Sequence, residues 1–149
     1  MMKAETTHVC GGCLCGRIRY EADVFLKNGH LCHCTLCQKS TGQPAELTVL
    51  IKAGTLKYLK GEPKYFVTSK FGKRGSCAAC GSRLVWQAVD PEQDWTTNLS
   101  IGCLGNPAEA RMTCPMYADT QLPWCRICED LPKFIESDAD AMMKFIRLD

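Results

Sequence analysis

Cys32, Cys34 and Cys37 fall within six positions of the stretch Cys32-His33-Cys34-Thr35-Leu36-Cys37-Gln38-Lys39, with Cys13 and Cys15 upstream and Cys77 and Cys80 downstream. Thiols spaced this closely are metal ligands by type, and a tetrahedral zinc takes four of them. Clusters of two, three and two fall one thiol short of two complete sites. The economical division joins Cys13, Cys15, Cys77 and Cys80 around one ion and leaves Cys32, Cys34 and Cys37 around a second. Four thiolates saturate zinc, so the outer set reads as structural, worth ~10 kcal/mol or more to folding. Three thiolates leave one coordination position for water, a substrate thiol, His30, His33 or a leftover cysteine such as Cys10. Such an ion carries net negative charge and is a poor activator of water. It suits an incoming sulfur, which coordination keeps deprotonated.

The remaining cysteines carry less. Cys10 stands three residues before Cys13 and is an alternative ligand there. Cys125 and Cys128 have knuckle spacing without a following glycine or a partner cluster, and Cys103 and Cys114 read as small core residues. His33 lies between two ligands and reads as solvated or as supporting them; His8 falls in a loose N-terminus. Trp86, Trp95 and Trp124 read as packing residues, with Trp124 also able to wall a pocket.

The wider composition agrees with metal rather than disulfides. Twelve cysteines in 149 residues is disulfide or metal density. The N-terminus MMKAETTHVCGG has no apolar signal core, so the reading is cytoplasmic, where thiols stay reduced. No apolar run is long enough to span a bilayer. A formal charge of +2 falls to about −1 once seven thiolates and two divalent ions are counted, which gives no case for a nucleic-acid partner.

These ligands need elements to hold them. The reading is one domain over 1–149, core about 8–136, mainly β, with short strands at regular spacing. The first cluster is a ligand loop leading into a strand after Gly16; Asn28-Gly29 is a turn, and the central trio lies in a loop running on to Pro44. Further strands are expected at 45–52, 56–59, 65–68, 83–89, 97–104 and near 116–118. Ser76-Cys77-Ala78-Ala79-Cys80-Gly81 has the form of a zinc knuckle, and Asp138–Ile146 that of a short helix.

In order along the chain, Gly11-Gly12-Cys13-Leu14-Cys15-Gly16-Arg17-Ile18-Arg19-Tyr20, the central Cys32–Lys39 stretch with Gly42, Cys77-Ala78-Ala79-Cys80-Gly81-Ser82, Leu122-Pro123-Trp124 and Leu131-Pro132-Lys133-Phe134 resemble the glutathione-dependent formaldehyde-activating enzyme family, which includes centromere protein V. The resemblance implies a β-tent fold of small antiparallel sheets. It also implies structural zinc on Cys13, Cys15, Cys77 and Cys80, and a catalytic-type zinc on Cys32, Cys34 and Cys37. The activity it implies is carbon–sulfur lyase chemistry run in reverse, adding glutathione to formaldehyde.

On that reading Gln38, Lys39 or Ser69 would steady a developing alkoxide, and Arg17, Arg19, Lys70 and Arg74 would anchor glutathione carboxylates. The alternative is a non-catalytic module with two closed zinc sites that binds a protein or buffers metal. A rubredoxin-like iron centre is a third option.

Overall fold

The computed structural model of the protein describes residues 4–127, 129–135 and 140–141. Cys128 lies outside them, as does the expected helix 138–146 apart from Asp140 and Ala141, which are helical. The described strands are β1 (Thr7–Gly12), β2 (Arg19–Cys32), β3 (Glu46–Ile51), β4 (Lys57–Lys60), β5 (Lys64–Val67), β6 (Gly72–Ser76), β7 (Arg83–Ala88), β8 (Asn98–Ser100) and β9 (Met112–Met116), with one α-helix, α1 (Thr35–Thr41), and short 3-10 turns. The architecture is mainly β, as expected. The strands form one nine-stranded sheet in the order β1-β2-β3-β8-β7-β6-β5, with β4 and β9 also pairing with β2. All pairs are antiparallel except β2 with β9.

β2 is the hub, and its sequence explains why. From Tyr20 to Leu26 it buries alternate residues, Tyr20, Ala22, Val24 and Leu26, the mark of a strand covered on one face. From Asn28 to Cys32 every residue is buried, so both faces are covered where the strand approaches the central cysteines. The core gathers Val9, Ile18, Tyr20, Val24, Leu26, Val49, Ile51, Leu84, Val85, Leu99 and Leu104 together with Cys13 and Cys77.

Three local expectations are corrected. Asn28-Gly29 is no turn; it lies inside β2, where the β2–β3 register shifts between Val24 and Gly29. The Thr113 hydroxyl donates to Asn28 Oδ1, and a Cβ at Gly29 would collide with Met112, so the glycine lets β9 come close. His8 is not in a loose end but in β1, opposite Asp23. The central trio is not held by a loop alone. Cys34 caps α1, its Sγ accepting from Cys37 N, and Cys37 lies in the first turn.

Candidate metal centres

The outer site is made where two knuckles meet. In the first, Cys13 N–H donates to Ile18 O and Ile18 N–H donates to Cys13 Sγ at 3.3 Å. In the second, Cys77 N–H donates to Ser82 O and Gly81 N–H to Cys77 O. Gly16 and Gly81 close these turns with φ of 79° and 77°, a region glycine enters without strain. Ser82 ties the halves: Leu14 N–H donates to its Oγ, which lies 3.2 Å from Cys80 Sγ. Those contacts with Ser82 pull the Cys80 thiol down to about 5.

The four sulfurs all lie within 4.8 Å of one another, with Cys13 Sγ 3.5 Å from Cys15 Sγ and Cys15 Sγ 3.8 Å from Cys77 Sγ. Tetrahedral arms of ~2.3 Å would place sulfurs ~3.8 Å apart. The donor set therefore fits a tetrahedral thiolate-bound metal such as zinc, joining segments 62 residues apart.

The central sulfurs of Cys32, Cys34 and Cys37 likewise lie within 4.8 Å of one another. Among the described residues no fourth His, Cys, Asp or Glu joins this group; His30, His33 and Cys10 do not complete it. β2 delivers Cys32 at its end and α1 supplies Cys37. The peptide of His33 is held from both sides: its N–H donates to Met116 O, and its carbonyl accepts from Gln38 Nε2 and Thr120 Oγ1. Cys32 and Cys37 are buried, whereas Cys34 is partly exposed beside exposed Thr35 and Leu36. Hydrogen bonds from Cys32 and Cys37 lower the Cys34 thiol, so the sulfur nearest solvent is the one most readily ionised.

Several residues singled out for substrate contacts do other work. Arg74 is buried, only 3 % exposed. It donates to Cys37 Sγ at 3.3 Å and to Thr68 Oγ1, with Glu46 Oε2 3.9 Å from its Nε. It cannot be a surface anchor for a carboxylate. Gln38 spends its amide N–H groups on the carbonyls of His33 and Thr120. Arg19 donates to Cys13 O and Ile18 O, bracing the first knuckle. Ser69 Oγ accepts from Phe71 N and Gly72 N. Arg17, Lys39 and Lys70 remain exposed, Lys70 over the Phe71 ring.

His33 is not solvated: it is fully buried, and its ring nitrogens make no well-formed hydrogen bond. His30 is buried with an unpartnered Nε2, and burial pushes it down to about 4 from 6.5. The unfolded chain takes up that proton near 6.5 and the folded chain resists until about 4. Between those values the unfolded state binds more protons, so stability falls as pH falls. The loss should approach about 3 kcal/mol by the lower end. Urea melts of wild type and His30→Gln across this window should show a steeper decline in wild type. Parallel declines would show that His30 takes up its proton at the same pH in the folded and unfolded states.

His8, Cys10 and Glu21 form a third group close enough for one ion, which spacing along the chain did not reveal because β1 and β2 bring it together. It is exposed and already ion-paired, His8 with Asp23 at 2.9 Å and Glu21 with Lys57 at 3.5 Å. An open cleft of about 660 Å³ lies against the outer site, lined by Cys10, Cys13, Leu14, Arg19, Tyr20 and Cys103 among others. The Tyr20 hydroxyl donates across its wall to Cys103 O.

The family model for glutathione-dependent formaldehyde-activating enzyme matches residues 8–120, a span that contains both cysteine groups. Among solved structures, the crystal structure of a Rhodobacter sphaeroides protein superposes with a TM-score of 0.54 at 18% identity, covering 70% of this chain and 99% of that one. At that identity the likeness shows the fold alone. No curated protein matches the sequence at a significant level.

Proposed function

Since the chain belongs to the glutathione-dependent formaldehyde-activating enzyme family, we propose that it catalyses addition of a small thiol such as glutathione to formaldehyde, with the centre at Cys32, Cys34 and Cys37. The family is enzymatic in general, and the observation that favours chemistry at this site is the ligand count. Three thiols converge with no fourth ligand among the described residues, whereas the outer four converge as a full set. On this reading the protein carries two zinc ions, one structural on Cys13, Cys15, Cys77 and Cys80 and one at the trio.

Zinc there would supply a soft Lewis acid that keeps an arriving thiol sulfur deprotonated at neutral pH. The sulfur would attack the aldehyde carbon: a C–S bond would form, the carbonyl π pair would move to oxygen, and that oxygen would take up the proton the thiol had released, giving the S-hydroxymethyl adduct. The chain's own part is positional. Cys32 and Cys37 are fixed in buried backbone, while partly exposed Cys34 marks the side from which substrate arrives. With Arg74 and Gln38 engaged internally, exposed Lys39, two residues beyond Cys37 on α1, is a cation available to a substrate carboxylate near the trio.

The test is exchange NMR of formaldehyde with glutathione, with metal content measured alongside. Wild type should accelerate adduct formation above the uncatalysed rate, and Cys34→Ser should abolish the excess while keeping the outer metal. Equal rates in the two proteins would remove the catalytic reading of the trio. No acceleration by either would leave a zinc-binding module.

A further inference from the structure

Against Cys37 of the trio lies a buried cluster of charge. Arg74 from β6 donates to Cys37 Sγ, Arg83 from β7 donates to Glu46 Oε1 at 2.8 Å, and Glu46 sits opposite Cys32 across the β2–β3 ladder. Glu46 and Arg74 are almost wholly buried and Arg83 largely so. Two guanidiniums against one carboxylate leave one positive charge with no partner inside the cluster. Nε of Arg74 and Nε of Arg83 also make no hydrogen bond. An unmatched buried charge costs several kcal/mol, so a counter-charge belongs nearby. Three thiolates around a divalent ion carry net charge −1, and Arg74 touches one of those sulfurs.

We propose that Arg74, held by Glu46 and Arg83, is the counter-charge of the three-cysteine centre and makes a tris-thiolate divalent site electrically neutral. It is a positioning residue acting through Cys37, and it touches no substrate. The inference rests on the reading of the trio as a metal site and goes beyond it in naming what sets the charge that site accepts. The charge count makes a distinctive demand. Removing a positive charge must weaken metal binding at the trio. Removing the negative charge of Glu46 must strengthen it, although that substitution breaks a well-formed ion pair. A cluster that merely braced Cys37 would lose affinity either way.

The experiment is competitive zinc titration against a chromophoric chelator, reading the second, weaker equivalent, with the first equivalent at the outer site as the internal control of folding. Cobalt substitution, read through its thiolate charge-transfer bands, reports the same site without any activity assay. Arg74→Gln should weaken the second equivalent by about tenfold or more, the scale of supporting-residue effects on metal affinity. Arg74→Lys, which keeps the charge, should stay within about threefold of wild type, and Glu46→Gln should tighten binding by about threefold, both small against that same scale. Loss of affinity in Glu46→Gln, or Arg74→Lys falling as far as Arg74→Gln, would overturn the counter-charge role while leaving the metal site standing. A wild-type protein that binds one equivalent would overturn the metal reading of the trio itself. If Arg74→Gln fails to load the outer site, near-wild-type binding in Arg74→Lys together with tighter binding in Glu46→Gln still decides.

Discussion

Cys77→Ser is expected to unfold the protein at ordinary temperatures. Cys77 is buried in the main core, and its sulfur lies 3.8 Å from Cys15 Sγ. The two knuckles it joins are 62 residues apart in sequence, and of the strands between them β4 and β5 are only four residues each and largely exposed. Such strands bury little apolar surface, so they depend on their anchored ends. A structural zinc supplies ~10 kcal/mol or more, comparable with the whole stability of a domain. Removing one ligand, or stripping metal with a strong chelator, should therefore abolish the cooperative melt seen by circular dichroism. Cys15→Ser should be milder, because Cys15 is exposed and water can take its place. A Cys77→Ser melt within a few degrees of wild type would mean that the β core holds the knuckles without metal.

What could be read from the sequence was what is local. Cys-x-Cys and Cys-x-x-Cys place sulfurs within one turn of backbone, so spacing alone anticipates the two groups of thiols that the structure brings together. The longer apolar runs that became β3 and β7 were legible for the same reason. What escaped depended on distant partners. β1 is rich in glycine and carries little strand signal; it is a strand because β2 offers it a register. Asn28-Gly29 has turn chemistry, overridden by burial between β3 and β9. Arg74 stands close to Lys70 and Lys73 in sequence and reads there as an anchor for a substrate carboxylate. Only the pairing of β6 with β7 turns it inward, toward a carboxylate on β3 and a sulfur on α1. The hydrogen bonds that hold His33, its N–H donating to Met116 O and its carbonyl accepting from Thr120 Oγ1, were invisible too, since β9 carried only a faint strand pattern.

Cys34→Ser and Cys37→Ser should part company, although both remove one ligand from the same centre. Each should lose the second metal equivalent and, on the proposed function, the thiol-addition activity. Their stabilities should differ. Cys34 caps α1 by accepting from Cys37 N at 3.3 Å, and serine is among the favoured residues for that position. The fold should therefore tolerate Cys34→Ser with little change in its melting curve. Cys37 is buried on the helix and receives the Arg74 guanidinium. Serine there cannot offer an anionic sulfur, and the net positive charge of Arg74, Glu46 and Arg83 is left buried without its counterpart. Breaking a buried charge pair by removing one partner costs about 3–5 kcal/mol. Cys37→Ser should fall by a comparable amount in urea melts run with the outer site kept loaded, and Cys34→Ser should not. Equal stability of the two variants would show that the guanidinium draws its compensation from the loaded centre as a whole, which both variants lose, and not from the Cys37 sulfur by itself.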